Sequence, residues 1–110
     1  MDFITIGGEE RPFRCSFNVI KKYGKDKANS TKLADIGEAI SNVDMEHIPW
    51  LAFECLKDGA KKQGEKVNFS LSDVLDWFDD SGMELIEVVL LKIGEAIGGK
   101  SKAPIQAEPN

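Results

Sequence analysis

Phe3-Ile4-Thr5-Ile6-Gly7-Gly8-Glu9-Glu10-Arg11-Pro12-Phe13-Arg14-Cys15 runs without interruption into Ser16-Phe17-Asn18, and this stretch decides the fold class. Phe3 to Ile6 is short and rich in residues that suit a pleated strand, and a Gly-Gly pair takes the positive φ angles that a two-residue hairpin turn demands. The stretch therefore predicts a β-hairpin over residues 2–15. Pro12 has no N–H to give to a ladder, so the second strand is expected to be an edge or to break there. A two-stranded sheet is marginal in water, so the hairpin has to lean on the helices downstream. Ser16 is a good helix cap, and everything beyond it reads as helix.

Downstream, apolar residues recur at helical spacing. Phe17, Val19, Ile20 and Tyr23 give a short first helix with Gly24 as its expected stop, and residues 25–30 read as a loop. Thr31 is the expected cap of a second helix over 32–40, which carries Leu33, Ile36, Ala39 and Ile40. Asp44 is the expected cap of a third, where Ile48, Leu51, Ala52, Cys55, Leu56, Gly59 and Ala60 trace one stripe. Pro49 falls near its start, where a missing N–H costs little. Ser70 with Asp73 three residues later forms an acidic variant of a capping box, followed by the apolar positions Leu71, Val74, Leu75, Trp77 and Phe78. After Asp79-Asp80-Ser81-Gly82, the last helix (83–97) presents Leu85, Ile86, Val88, Val89, Leu90, Leu91, Ile93 and Ile97, more than one face of a surface helix needs. That helix is either central or shares a second face with a partner, in a dimer or ring or with another protein. Residues 98–110 hold two prolines, no aromatics and no periodicity, and are expected to be a disordered tail. The fold expected is α+β, mostly α: one domain over 1–97, with hairpin 2–15 and a helical body of about five helices over 16–97.

Composition narrows the function classes. A chain of 110 residues that is 42% hydrophobic and 30% charged suits a single soluble domain. No apolar run approaches the ~18 residues of a membrane helix, and no basic segment followed by an apolar one opens the chain, so a cytoplasmic location is expected. The net charge of −5 is unevenly spread. The basic segment 21–32 (Lys21, Lys22, Lys25, Lys27, Lys32) is the one candidate for a nucleic-acid regulator, and it has little aromatic company beyond Tyr23. Those lysines also suit a helix end, where positive charge opposes the helix dipole. Nucleic acid is therefore a secondary expectation.

The search for chemistry returns no catalytic, cofactor or metal site. His47 stands alone as the single histidine, which is too few for a metal site of ordinary ligand count. Cys15 and Cys55 lack C-x-x-C spacing and are expected to be reduced and at least partly buried. Asp76, Asp79 and Asp80 do not follow the order of a calcium loop. Gly7-Gly8 lacks the context of a phosphate loop. What remains is an apolar surplus. Trp50 and Phe53 fall off the main stripe of the third helix, on the side of His47, and with Trp77, Val89 and Ile93 they form the candidate partner-binding surface.

Taken in order, F-I-T-I-G-G-E-E-R-P-F-R, the S-F-N helix start, P-W-L-A-F-E-C-L-K-D-G-A, S-L-S-D-V-L-D-W-F-D-D and one last apolar helix resemble the tail assembly chaperones of long-tailed bacteriophages. The likeness spans about residues 1–97, while the stretch 25–44 is more basic and more punctuated by Gly and Ser than the family pattern. The resemblance implies a non-enzymatic protein, of phage or prophage origin, that binds the tape measure protein and keeps it soluble while tail tube subunits assemble. It also implies a longer frameshifted form, near Gly98-Gly99-Lys100, through which the tail tube protein would be met. By the same resemblance Phe13, Phe17, Leu75 and Trp77 are framework residues.

Overall fold

The computed structural model describes residues 2–30 and 32–98. Strand β1 (Asp2–Ile6) pairs antiparallel with β2 (Glu9–Phe13), Ile6 lying opposite Glu9 around Gly7 at φ +65° and Gly8 at φ +79°. From that closing pair, hydrogen-bonded and non-hydrogen-bonded positions alternate, so Pro12, opposite Phe3, has its backbone groups turned away from β1. The ladder asks for no N–H there, and the strand continues through Pro12 to Phe13 instead of breaking.

Five helices come after the hairpin, α1 (Phe17–Tyr23), α2 (Leu33–Ser41), α3 (His47–Lys62), α4 (Leu71–Ser81) and α5 (Met83–Gly98). Ser16 caps α1 by accepting from the Val19 N–H, and Ser70 with Asp73 closes a full capping box on α4. Gly24 ends α1 as its C-cap, where the spacing puts it, but it stays right-handed at φ −58°. A π-helical turn over Gly24–Ala28 takes the place of the start of the expected loop 25–30 until Asn29 ends it at φ +53°. Glycine serves at 24 for room, since a Cβ would fall 2.5 Å from the Ser30 carbonyl oxygen and 2.6 Å from the Ile36 side chain. Thr31, the expected cap of α2, lies outside the described residues, as does the expected tail beyond Gly98. Ser30 acts before α2, its hydroxyl accepting from the Lys32 N–H at 3.1 Å and donating to the Asp35 carboxylate at 2.8 Å. Asp44 caps the turn ahead of α3, its carboxylate accepting from the Glu46 N–H.

α3 is the spine. Ile48, Leu51, Ala52, Cys55, Leu56 and Ala60 are buried along it, against Ile4, Ile6 and Phe13 of the hairpin, Val19 and Tyr23 of α1, Val74 and Phe78 of α4, and Leu85, Val89 and Ile93 of α5. The outer edge of β2 lies directly on this helix. The Arg14 N–H donates to the Cys55 carbonyl at 3.0 Å, and the Pro12 carbonyl comes so near α3 that a Cβ at Gly59 would sit 2.6 Å from it. A residue with an N–H at position 12 would turn a buried donor toward the helix with no partner in the ladder. Proline removes that donor.

Two glycines of like helical setting should therefore respond in opposite ways. Gly59→Ala gains helix propensity but drives a methyl into backbone, and is expected to lose about 1–3 kcal/mol. Gly94→Ala on α5 meets nothing within 4 Å, and should gain about 0.5–1 kcal/mol. Urea denaturation of the two variants reads both signs, and equal effects would contradict the close seam at Gly59.

Candidate partner-binding surface

Three of the five residues expected at the surface lie in two aromatic clusters. Trp50 packs beside Tyr23, ring centroids 6.0 Å apart, and Tyr23 is also edge-on to His47 at 6.0 Å. The Tyr23 hydroxyl and His47 Nδ1 are 3.4 Å apart. The ammonium groups of Lys27 and Lys22 lie 5.1 and 6.0 Å from the Trp50 ring. Phe53 meets Phe69 at 6.0 Å and Phe69 meets Trp77 at 5.8 Å, with the Arg11 guanidinium 4.6 Å from the Trp77 ring and 5.4 Å from Phe69. Lys57 covers Phe53 at 4.7 Å.

Arg11 is not among the residues expected at this surface, yet it organises the second cluster. It stands opposite Ile4 and so shares the inward face of the hairpin, and its Nε donates to the Ile6 carbonyl at 3.1 Å. Trp77 in turn lies against the hairpin turn, where a Cβ at Gly7 would be 2.5 Å from its ring. The alternation of β2 is the signal that places residue 11 inward; its charge argues the other way. Trp50, Phe53 and Trp77 are thus half-buried rings with a cation on each, not bare apolar surface.

Val89 and Ile93 are corrected outright. At 0% and 1% exposure they are core residues, because the turn at Gly82 folds α5 back so that Leu85, Val89 and Ile93 face inward. The apolar surplus of α5 is carried by neighbouring positions, by Val88 at 38% and Leu91 at 63% exposure, among the exposed Glu84, Glu87 and Glu95. Leu75 and Met83 are exposed as well. Of the framework residues, Phe13 is buried and Trp77 half-buried, whereas Phe17 is 76% exposed and Leu75 faces solvent, so neither of these two holds the fold.

The basic segment is partly engaged within the molecule. Lys22 pairs with Glu54 at 3.3 Å, and Glu54, buried on α3, also takes Lys57 at 3.3 Å. Lys21 lies 5.7 Å from the Phe17 ring. Among the described residues no cluster of three or more His, Cys, Asp or Glu could hold a metal ion, and no helix is long and apolar enough to cross a membrane. Burial pushes the Tyr23 phenol above its ordinary range, with Asp44 adding to the effect. The neighbouring Cys55 side chain draws the Cys15 thiol down, and the same neighbour together with burial holds the Cys55 thiol well up. A comparison of the chain with family models, curated proteins and solved structures finds no match.

Tyr23 sets a pH dependence. A folded-state pKa above the unfolded one contributes stability that is complete below the unfolded value, near pH 10, and is lost as pH rises through the folded value. In the thiol range Cys15 and Cys55 oppose each other, so the clear signal belongs to the phenol. The urea midpoint is expected to fall above about pH 10 and to fall less in Tyr23→Phe, which cannot ionise. Parallel curves for the two proteins would remove Tyr23 from that role.

Proposed function

We propose that this chain is a non-enzymatic tail assembly chaperone, acting in the cytoplasm of a bacterial host, that binds the tape measure protein and keeps it soluble during tail assembly. The reading rests on the ordered likeness of the hairpin and helices to that family. One structural observation supports it most: α5 buries one apolar face in the core and still offers Val88 and Leu91 outward. Val88 and Leu91 stand three positions apart on that outward face, where a long amphipathic partner helix would cover both. The tail tube protein would be met through a longer frameshifted form. No observation favours the nucleic-acid reading of residues 21–32.

Co-expression with the tape measure protein encoded nearby, followed by affinity capture, tests the proposal directly. Wild-type chain should retain the tape measure protein in the soluble fraction. Leu91→Lys and Val88→Lys should each weaken capture about tenfold, or about 1.4 kcal/mol, while stability changes by no more than about 0.5 kcal/mol. Failure of the wild-type chain to co-purify its partner would sink the reading.

A further inference from the structure

Cys15 and Cys55 are 40 positions apart in sequence and meet at the seam between β2 and α3. The Arg14 N–H on the Cys55 carbonyl, at 3.0 Å, fixes the residue next to Cys15 onto the helix backbone at Cys55 and so brings the two cysteines together. Their access to solvent differs. Cys55 is completely buried, while Cys15 opens into a surface groove lined by Asp2, Arg14, Lys62, Gln63 and Ala96. Two of those lining residues are cations, although Arg14 is also tied to Asp58 at 3.2 Å. Neither sulfur belongs to the outward face of α5, so the pair is independent of the partner-binding proposal.

We propose that Cys15 and Cys55 are an oxidisable pair, in which Cys15 is the peroxide-reactive thiol and Cys55 the thiol that resolves it into an intramolecular disulfide. The co-reactant is hydrogen peroxide. The Cys15 thiolate attacks one peroxide oxygen; the S–O bond forms, the O–O bond breaks, and the leaving hydroxide takes a proton to become water. Cys55 then attacks the sulfenic sulfur; the S–S bond forms, the S–O bond breaks, and a second water leaves with the Cys55 proton. Two thiols are oxidised by two electrons in total, and one peroxide is reduced to two waters. Access assigns the order, because peroxide reaches the groove and not the core. The product bolts the hairpin-to-α1 junction to the spine helix.

Full-length reduced protein, treated under native conditions with one equivalent of hydrogen peroxide, provides the test. The intact mass should fall by two hydrogens, both thiols should disappear together, and a non-reducing digest should yield the Cys15 peptide joined to the Cys55 peptide. Cys55→Ala should stop at the sulfenic acid, captured by a 1,3-dione, and Cys15→Ser should slow thiol loss at Cys55 by at least about tenfold. The proposal is overturned if the wild-type protein keeps both thiols at peroxide levels that consume free cysteine. It is equally overturned if Cys15 proceeds to sulfinic acid without cross-linking, or if the disulfide joins two chains.

Discussion

The seam between the outer edge of β2 and α3 is the constraint on which the other contacts depend. Edge-on packing of a strand against a helix is costly in general, since the strand's outward N–H and C=O groups are buried and the helix presents a wall of side chains. Here both obstacles are removed by residue choice. Gly59 leaves a gap in the wall, Pro12 has no donor to strand, and the next outward donor, on Arg14, finds the Cys55 carbonyl at 3.0 Å. With β2 held there, Phe13 enters the core, Cys15 arrives beside Cys55, and Ser16 is placed to start α1 along the spine helix. The Glu54 carboxylate, bridged by Lys22 and Lys57, then ties α1 to α3.

The aromatic residues show how composition overstates free apolar surface. A cation within about 6 Å of a ring adds roughly 0.5–1 kcal/mol at an exposed site and more when water is excluded, and the long aliphatic stems of Lys and Arg cover apolar area besides. Trp50, Phe53 and Trp77 each have such a cation from their own chain. Arg11 matters most, since its guanidinium is largely sheltered and joins Trp77 and Phe69 to the hairpin. Once these rings are accounted for, the large uncovered apolar side chains of the last two helices, among the described residues, are Leu75, Met83, Val88 and Leu91.

Local chemistry was legible, and juxtaposition was not. The Gly-Gly turn, the caps at Ser16 and Ser70 and the stripe of α3 arise from residues within a few turns of each other, and each stands where the spacing puts it. The hairpin-plus-five-helices architecture is built from them. Gly24 ends α1 where its spacing puts it, whereas the π-helical turn that follows and the close approach of Ser30 and Ile36 to Gly24 have no local signal. The inward face of α5 was ambiguous for the same reason: Val88 and Val89 are chemically alike, and only the angle set at Gly82 separates them. The meeting of Cys15 with Cys55 is likewise a product of the β2–α3 seam, which no spacing rule encodes.

Charge sets the character of the exposed apolar face of α5. Several cations are used inside the molecule: Arg14 on Asp58, Lys22 and Lys57 on Glu54, Arg11 between rings. The acids of the last two helices are not so used. Asp76, Asp79, Asp80, Glu84, Glu87 and Glu95 are exposed and form no ion pair among the described residues, while Lys92 reaches across to Asp2 at 3.8 Å. Glu84, Glu87 and Glu95 each stand one helical turn from Val88 or Leu91, so the outward face of α5 is acidic. Two such faces brought together would set glutamate against glutamate, a cost to symmetric pairing through α5. Acids flanking an unavoidable apolar patch act as gatekeepers, opposing non-specific association through it.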